Sequence, residues 1–228
     1  MPETHEKPVV EPVKMPKLKI DKHKFATINA WAIALAIFLG WSAIFAAIAG
    51  FTKKWVFSIP FFGLFMGSNA HTPTILLTAL FALAFGIFGF ITLKKVTDAE
   101  ATKKAWNCIS KVFLGFIFVY TINMIGIVIY SLMSLGREHF DQGSLWLNGF
   151  LSTLICAIGA TAVWFIGEQI AEGKTSVLRI ASMLAGCLAV VGFIIVFIQL
   201  LVSFYSEPSL TDYGVDKSSF YDVLEMIK

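Results

Sequence analysis

Five long apolar runs constrain the fold of this chain more than any other feature of its sequence. They cover residues 25–51, 73–93, 105–135, 145–170 and 177–204. Each run is long enough for a helix across a hydrocarbon core of about 30 Å, which takes about 20 residues. A segment in lipid must satisfy its own backbone hydrogen bonds, and these runs lack the alternation of barrel strands. The sequence therefore predicts an all-α fold, a polytopic membrane bundle of five transmembrane helices.

The composition supports this class. Of the 228 residues, 57% are hydrophobic and 14% are charged, and the mean hydropathy is +0.77. A soluble domain of this size has no core large enough to bury so much apolar surface. We expect a multi-pass protein of the cell membrane, surrounded by membrane lipids and without a nucleic-acid partner.

Lysine and arginine concentrate in alternate connectors. With the N-terminus in the cytoplasm, the inner segments hold twelve of these residues and the outer segments five. Such an excess near short loops marks the cytoplasmic side. We therefore expect the N-terminus inside and the C-terminus outside. The connector LKKVTDAEATKKAW, residues 93–106 with four lysines, is then cytoplasmic.

Several residues at the ends of the runs are typical of helix caps. Thr97 and Glu100 have the T-x-x-E spacing of a capping box, which predicts a helix start that continues into the third run. Thr72 precedes Pro73 at the start of the second run, and Gly173 follows the fourth. These signals fall where the hydropathy changes.

The two terminal segments differ from the apolar region. Residues 1–24 carry four prolines among charged residues, which predicts a flexible or polyproline-like cytoplasmic arm. Residues 205–228 form an acidic extracytoplasmic tail, either mobile or folded as a short amphipathic helix on a partner. The sequence AIAG at residues 47–50 resembles a signal-peptidase site, but the preceding run is longer than a signal core. We expect an uncleaved anchor.

The loop at residues 53–71 is strongly aromatic. It contains Trp55, Phe57, Phe61, Phe62 and Phe65. Aromatic rings concentrate at the boundary between membrane and water, so an interfacial or re-entrant segment is the simpler interpretation. The alternative is that these rings face a partner subunit.

A set of residues in and just before the first two runs follows a known pattern: Leu18, Ile20, Asp21, Phe25, Trp41, Pro73, Thr74, Gly86 and Gly89. On these positions, residues 18–96 resemble a family of small two-helix membrane proteins of archaea and bacteria that carry the label "bacteriophage holin". The loop lacks the Gly-Tyr features of the family, and three apolar runs fall outside the match. The resemblance implies a helix pair in this half of the chain, and we transfer no lytic or pore-forming activity from it.

Groups that perform chemistry are missing from the apolar runs. All four histidines lie in tails or loops, and no aspartate lies within a run. The sequence contains no G-x-S-x-G, H-E-x-x-H or G-x-x-x-x-G-K-[ST] motif. The three cysteines lie in runs without C-x-x-C spacing, which is typical of packing residues. We predict no catalytic residue, no metal site, no cofactor and no enzymatic activity.

Lys111 and Glu168 are the two charged residues inside the apolar runs that we single out. Both fall toward the predicted cytoplasmic side. Snorkelling of each side chain to the headgroups is the simpler account. The alternative is a hydrogen-bonded polar pair between neighbouring helices.

Uncharged polar and small residues predict how the helices pack. Asn29, Asn123 and Gln199 are expected to form hydrogen bonds between helices, each contributing about 0.6 to 2 kcal/mol. Small residues four positions apart predict close helix approach, and they occur at Ala36 with Gly40, Ala82 with Gly86 and Ser182 with Gly186. Similar patterns in runs two and four and in runs three and five leave open a duplicated helix hairpin.

Three functions are compatible with these features. The first is a non-catalytic accessory or scaffold subunit of a membrane assembly, associated with other membrane subunits or with itself. The second is a small transporter or channel, lined by Thr121, Asn123, Gln199 and Ser203 because no charged path exists. The third, a membrane enzyme, lacks candidate groups.

Overall fold

The computed structural model describes residues 22–52, 57, 72–135, 143 and 145–205, and these residues form helices and no strand. The long helices are α1 (Lys22–Thr52), α2 (Thr72–Thr92), α3 (Ala99–Met133), α4 (Ser152–Ala171) and α5 (Thr175–Tyr205). A 3-10 turn, Leu93–Lys95, follows α2, and a π-helical segment, Leu145–Leu151, leads into α4. Five helical spans are long and apolar enough to cross a membrane, which confirms the all-α class and the number of helices.

The start of α3 corrects one sequence prediction. Asp98 occupies the N-cap position, where its Oδ1 accepts a hydrogen bond from the amide of Ala101 at 2.9 Å. The predicted capping box of Thr97 and Glu100 is therefore wrong. Because the helix begins one residue later than that motif requires, the carboxylate of Asp98 satisfies the free amide. Glu100 forms an ion pair with Lys104 instead, at 2.8 Å.

The turn between α4 and α5 confirms the predicted role of Gly173. This glycine has a φ of +98°, a conformation that costs a residue with a Cβ atom. Its amide donates to the carbonyl of Ile170 at 2.9 Å, and the amide of Lys174 donates to that of Gln169 at 3.1 Å. These two bonds form a Schellman motif, which satisfies carbonyls at the end of α4 and turns the chain into α5.

Helix α1 is the centre of the bundle. It packs against all four other helices, and 67% of its most apolar window is buried, compared with 11% for α3. Extensive contacts also join α2 to α5 and α3 to α4. The two helix pairs of the possible repeat, α2 with α3 and α4 with α5, therefore pack mainly on helices outside the pair, and their duplication stays a prediction.

The helices alternate in direction. Asn29 near the start of α1 contacts Thr92 at the end of α2, and Gly167 near the end of α4 lies against Ser110 near the start of α3. One end of the bundle therefore holds the start of α1, the α2–α3 connector and the α4–α5 turn. These are the lysine-rich segments, so the structure collects them at a common end, which we call the basic end.

Three predictions concern segments that lie mostly outside the described part of the chain. These are the arm at 1–24, the aromatic loop at 53–71 and the acidic tail at 205–228. Only the beginning of α1, Phe57 and the last residue of α5 belong to the described residues in those ranges.

Candidate functional site

The first buried polar contact joins α1 to α2. Asn29 is 1% exposed, and its Nδ2 donates to the carbonyl of Gly89 at 3.0 Å and to Oγ1 of Thr92 at 2.7 Å. A Cβ atom on Gly89 would lie 2.8 Å from Cγ1 of Ile33, so only glycine allows the two helices to come this close. The predicted interhelical role of Asn29 is confirmed.

A second contact joins α1 to α4. Nε1 of Trp41 donates to the carbonyl oxygen of Ile155 at 2.9 Å, and the ring packs on Phe45 with 4.8 Å between centroids. A Cβ atom on Gly159 would lie 2.7 Å from Cδ1 of Trp41. Because Gly159 has no side chain, the indole reaches a backbone carbonyl of α4 that a larger residue would cover.

A third set of contacts joins α3 to α4 and to the π-helical segment that precedes α4. Nδ2 of Asn123 donates to Oγ1 of Thr153 at 2.9 Å, which confirms the interhelical bond predicted for Asn123. Nearer the end of the bundle opposite the basic end, Nε1 of Trp146 donates to Oγ of Ser131 at 3.0 Å. Interhelical hydrogen bonds of this kind add direction to van der Waals packing in a membrane.

Gln199 lies in the α1–α5 contact but differs from the prediction. A Cβ atom on Gly50 would lie 1.7 Å from its Nε2, so the amide fills the space that this glycine leaves. Among the described residues, the side chain of Gln199 has no hydrogen-bond partner. The hydrogen bond predicted for Gln199 is therefore wrong, and the side chain contacts α1 by packing.

The residues expected to line a channel belong to different helix contacts. Oγ1 of Thr121 donates to the carbonyl of Ile117 in its own helix, and Asn123 contacts α4. Gln199 lies on α5 against α1. The structure does not bring these groups together, and nothing is described for the side chain of Ser203.

Glycines at two of the predicted small-residue pairs lie at close helix contacts. A Cβ atom on Gly40 would lie 3.0 Å from the backbone of Leu188 in α5, and one on Gly86 would lie 2.8 Å from Cβ of Ala189. In the third pair only one residue lies in a helix contact. Ser182 is buried, whereas an added Cβ on Gly186 would meet no atom within 4 Å. Gly186 lines an open groove instead.

Helix α3 has an exposed face, which we define by Gly115, Phe118, Ile122, Gly126 and Ile129. Added Cβ atoms on the two glycines would meet nothing within 4 Å, and the other three residues are between 52% and 68% exposed. The opposite side of α3 packs on the bundle. The exposed face is therefore a continuous apolar strip without a protein neighbour in the described structure.

Lys111 and Glu168 lie on the adjacent helices α3 and α4 and form no ion pair with each other. Lys111 is exposed on α3, and Glu168 is partly buried on α4. The ion pairs among the described residues are Lys104 with Glu100 and Lys174 with Glu172. The structure does not form the polar pair, and snorkelling stays the prediction for both side chains.

The aromatic loop contributes one described residue. Phe57 is 5% exposed and belongs to the main hydrophobic cluster. Its ring is therefore covered by other side chains and does not form an exposed surface for lipid or a partner. The other four aromatic residues, Trp55, Phe61, Phe62 and Phe65, lie outside the described residues.

Cys156 is buried, Cys108 and Cys187 are exposed, and all three are free thiols. Within the described ranges, no group of three His, Cys, Asp or Glu side chains is arranged to hold a metal ion.

Sequence reasoning missed the contact between Trp41 and Gly159. The signal was present, because an indole N–H inside an apolar run needs a hydrogen-bond acceptor. The acceptor was not predictable, since it is a backbone carbonyl 114 positions away.

Comparison of the chain with protein-family models, with curated proteins and with solved structures finds no match. The resemblance of residues 18–96 to the holin-labelled family therefore stays a prediction.

Proposed function

We propose that this protein is a non-catalytic subunit of the cell membrane that docks on a transmembrane helix of a second membrane protein through the exposed face of α3. We further propose that its basic end is cytoplasmic, with the N-terminus inside and the C-terminus outside. The observation that carries the docking proposal is the pair of open glycines, Gly115 and Gly126.

The two glycines share a face of the helix. They are eleven positions apart, which corresponds to about three turns of α-helix. Glycine inside a helix costs about 1 kcal/mol relative to alanine, so contact with fluid lipid alone gives no reason for it. Small residues favour close contact between transmembrane helices because they let the two backbones approach.

The large residues around the glycines complete this surface. Phe118, Ile122 and Ile129 project between and beside the two open positions. A glycine flanked by such side chains forms a notch into which a neighbouring helix packs by van der Waals contact, the main attraction between helices in lipid. The face is apolar along its length and presents no catalytic group.

The experiment is to replace both glycines and measure assembly. Full-length protein with a purification tag is extracted from its native membrane in mild detergent, and the mass and subunit composition of the particle are determined by native mass spectrometry. The unmodified protein is expected in a particle of defined stoichiometry with a second membrane protein. The double substitution Gly115→Leu and Gly126→Leu is expected to release it as a separate chain.

Gly186→Leu is the matched control, because Gly186 is equally open but lies on α5. It should leave the complex intact. The proposal is contradicted if the unmodified protein is found only as a monomer or a homo-oligomer. It is also contradicted if the complex survives the double substitution.

A further inference from the structure

We propose that the basic end binds an anionic phospholipid, with the headgroup phosphate in a pocket between α3 and α5 and one acyl chain in the groove between α2 and α5. The proposal depends on membrane insertion and not on the docking face of α3. It is carried by the continuity of a cationic pocket with an apolar groove.

The headgroup pocket has a volume of about 610 Å³. Its cationic lining residues are Lys94 after α2, Lys103 on α3 and Arg179 on α5. Asp98 is the acidic residue in the lining, and its Oδ1 already accepts the capping bond from Ala101. Three cations against one engaged carboxylate give the pocket a net positive charge that suits a phosphate diester.

These cations have no carboxylate partner in the described part of the chain. Its two ion pairs use Lys104 and Lys174, which do not line the pocket. Helix α5 begins at Thr175 in the pocket wall, so the positive end of its dipole adds to the same field. Basic pockets between transmembrane helices are a recognised type of site for anionic headgroups.

The acyl-chain groove has a volume of about 430 Å³ and an almost entirely apolar lining. Its floor is formed where Gly86 meets Ala189, and Gly186 leaves one side open. Phe90 and Met183 line both the groove and the headgroup pocket. The two spaces therefore adjoin, with charge at one end and hydrocarbon along the other.

A free phosphate or a peptide matches only part of this arrangement. A free phosphate has no apolar part to occupy the groove, and an apolar helix has no negative charge to pair with the three cations. A phospholipid carries a phosphate joined to hydrocarbon chains, and the groove is apolar like those chains. Phospholipids also surround any helix that is inserted in a membrane. The combined site therefore selects a lipid with a net negative headgroup over a zwitterionic one.

The test measures binding of defined lipids to the full chain by native mass spectrometry in detergent. Phosphatidylglycerol is expected to bind at least several-fold more tightly than phosphatidylcholine. Lys103→Gln and Arg179→Gln should each weaken phosphatidylglycerol binding about fivefold. This factor corresponds to about 1 kcal/mol, the free energy that one cation contributes near an anionic headgroup. Lys104→Gln is the matched control because it removes a neighbouring charge outside the pocket, and it should leave binding unchanged.

The groove is tested separately with Gly186→Leu, which adds bulk to its lining at a position where an added Cβ meets no atom within 4 Å. This change should weaken phosphatidylglycerol binding, whereas Ala162→Leu at an exposed position of α4 should not. Equal losses for Lys103→Gln and Lys104→Gln would overturn the proposal, because they would indicate surface charge alone. Displacement of the lipid by glycerol phosphate at an equal concentration would also overturn it, since the chain would then contribute nothing.

Discussion

Nε1 of Trp41 lies 2.9 Å from the carbonyl oxygen of Ile155, and this hydrogen bond joins the central helix α1 to α4. The bond exists because Gly159, one turn further along α4, exposes that carbonyl. It links the group formed by α1, α2 and α5 to the α3–α4 pair. The hydrogen bond therefore depends on the missing side chain at Gly159, and a larger residue there should lower the stability of the bundle.

Gly159→Ala should destabilise the bundle by about 1 to 3 kcal/mol, the usual cost of adding a methylene group to a filled contact. The new Cβ would lie 2.7 Å from the indole and must displace it from Ile155. The measurement is thermal unfolding of the purified protein in detergent. Gly126→Ala, with open space around the added atom, should be neutral or slightly stabilising. Equal effects of the two changes would contradict this account of the contact.

Replacing Asn29 with Leu should weaken the packing of α1 on α2. Two hydrogen bonds from its amide are lost, while Thr92 keeps its bond to the carbonyl of Phe88. The expected loss of unfolding free energy is about 1 to 2 kcal/mol, in the range of interhelical bonds in membranes. Thr121→Val is the control, because Thr121 is exposed and donates only within its own helix. A loss for Thr121→Val as large as that for Asn29→Leu would argue against a specific interhelical bond.

Lys111→Met should change the unfolding free energy by less than about 0.5 kcal/mol, the usual range of an exposed substitution. The reason is that Lys111 is exposed and has no ion pair among the described residues. Glu168→Gln should behave in the same way. Breaking a buried pair costs about 3 to 5 kcal/mol, so a loss of that size for either variant would restore the polar pair.

The proposed orientation predicts which ends of the helices meet an impermeant thiol reagent. In a background with the native cysteines replaced by alanine, Lys174→Cys marks the basic end and Leu135→Cys marks the opposite end. Both positions are exposed. Lys174→Cys should be labelled only in inverted membrane vesicles and Leu135→Cys only in right-side-out vesicles. The reverse pattern would show that the lysine-rich turns lie outside.

Much of the fold was predictable because it depends on local chemistry. Gly173 ends α4 because only its positive φ suits the Schellman turn, and the residue type signals this directly. Asn29 and Asn123 were predictable as bonded residues because a polar amide in an apolar helix favours a hydrogen-bond partner on a neighbouring helix. The start of α3 was misjudged because Thr97 and Asp98 are both good caps, and the choice depends on where the backbone enters the helix.

The candidate sites were much less predictable. The cations Lys94, Lys103 and Arg179 could be assigned to one side of the membrane from charge alone, but not to one pocket. Gly186 and Gly86 look alike in sequence, yet one is open and the other touches Ala189. The difference arises from neighbours on other helices, which no local pattern specifies.

The sequence by itself determined that five helices form and, apart from the start of α3, about where they end, since a long apolar run must satisfy its own backbone in lipid. It also determined that basic residues concentrate in alternate connectors, which helices of alternating direction bring to one end. Only the tertiary structure decided that α1 is central, that Trp41 reaches Ile155, that a groove opens beside Gly186 and that one face of α3 stays uncovered. The physical reason is that these helices are apolar on all sides, so hydrophobicity does not distinguish their faces. Close packing does, and it depends on shapes brought together from distant parts of the chain.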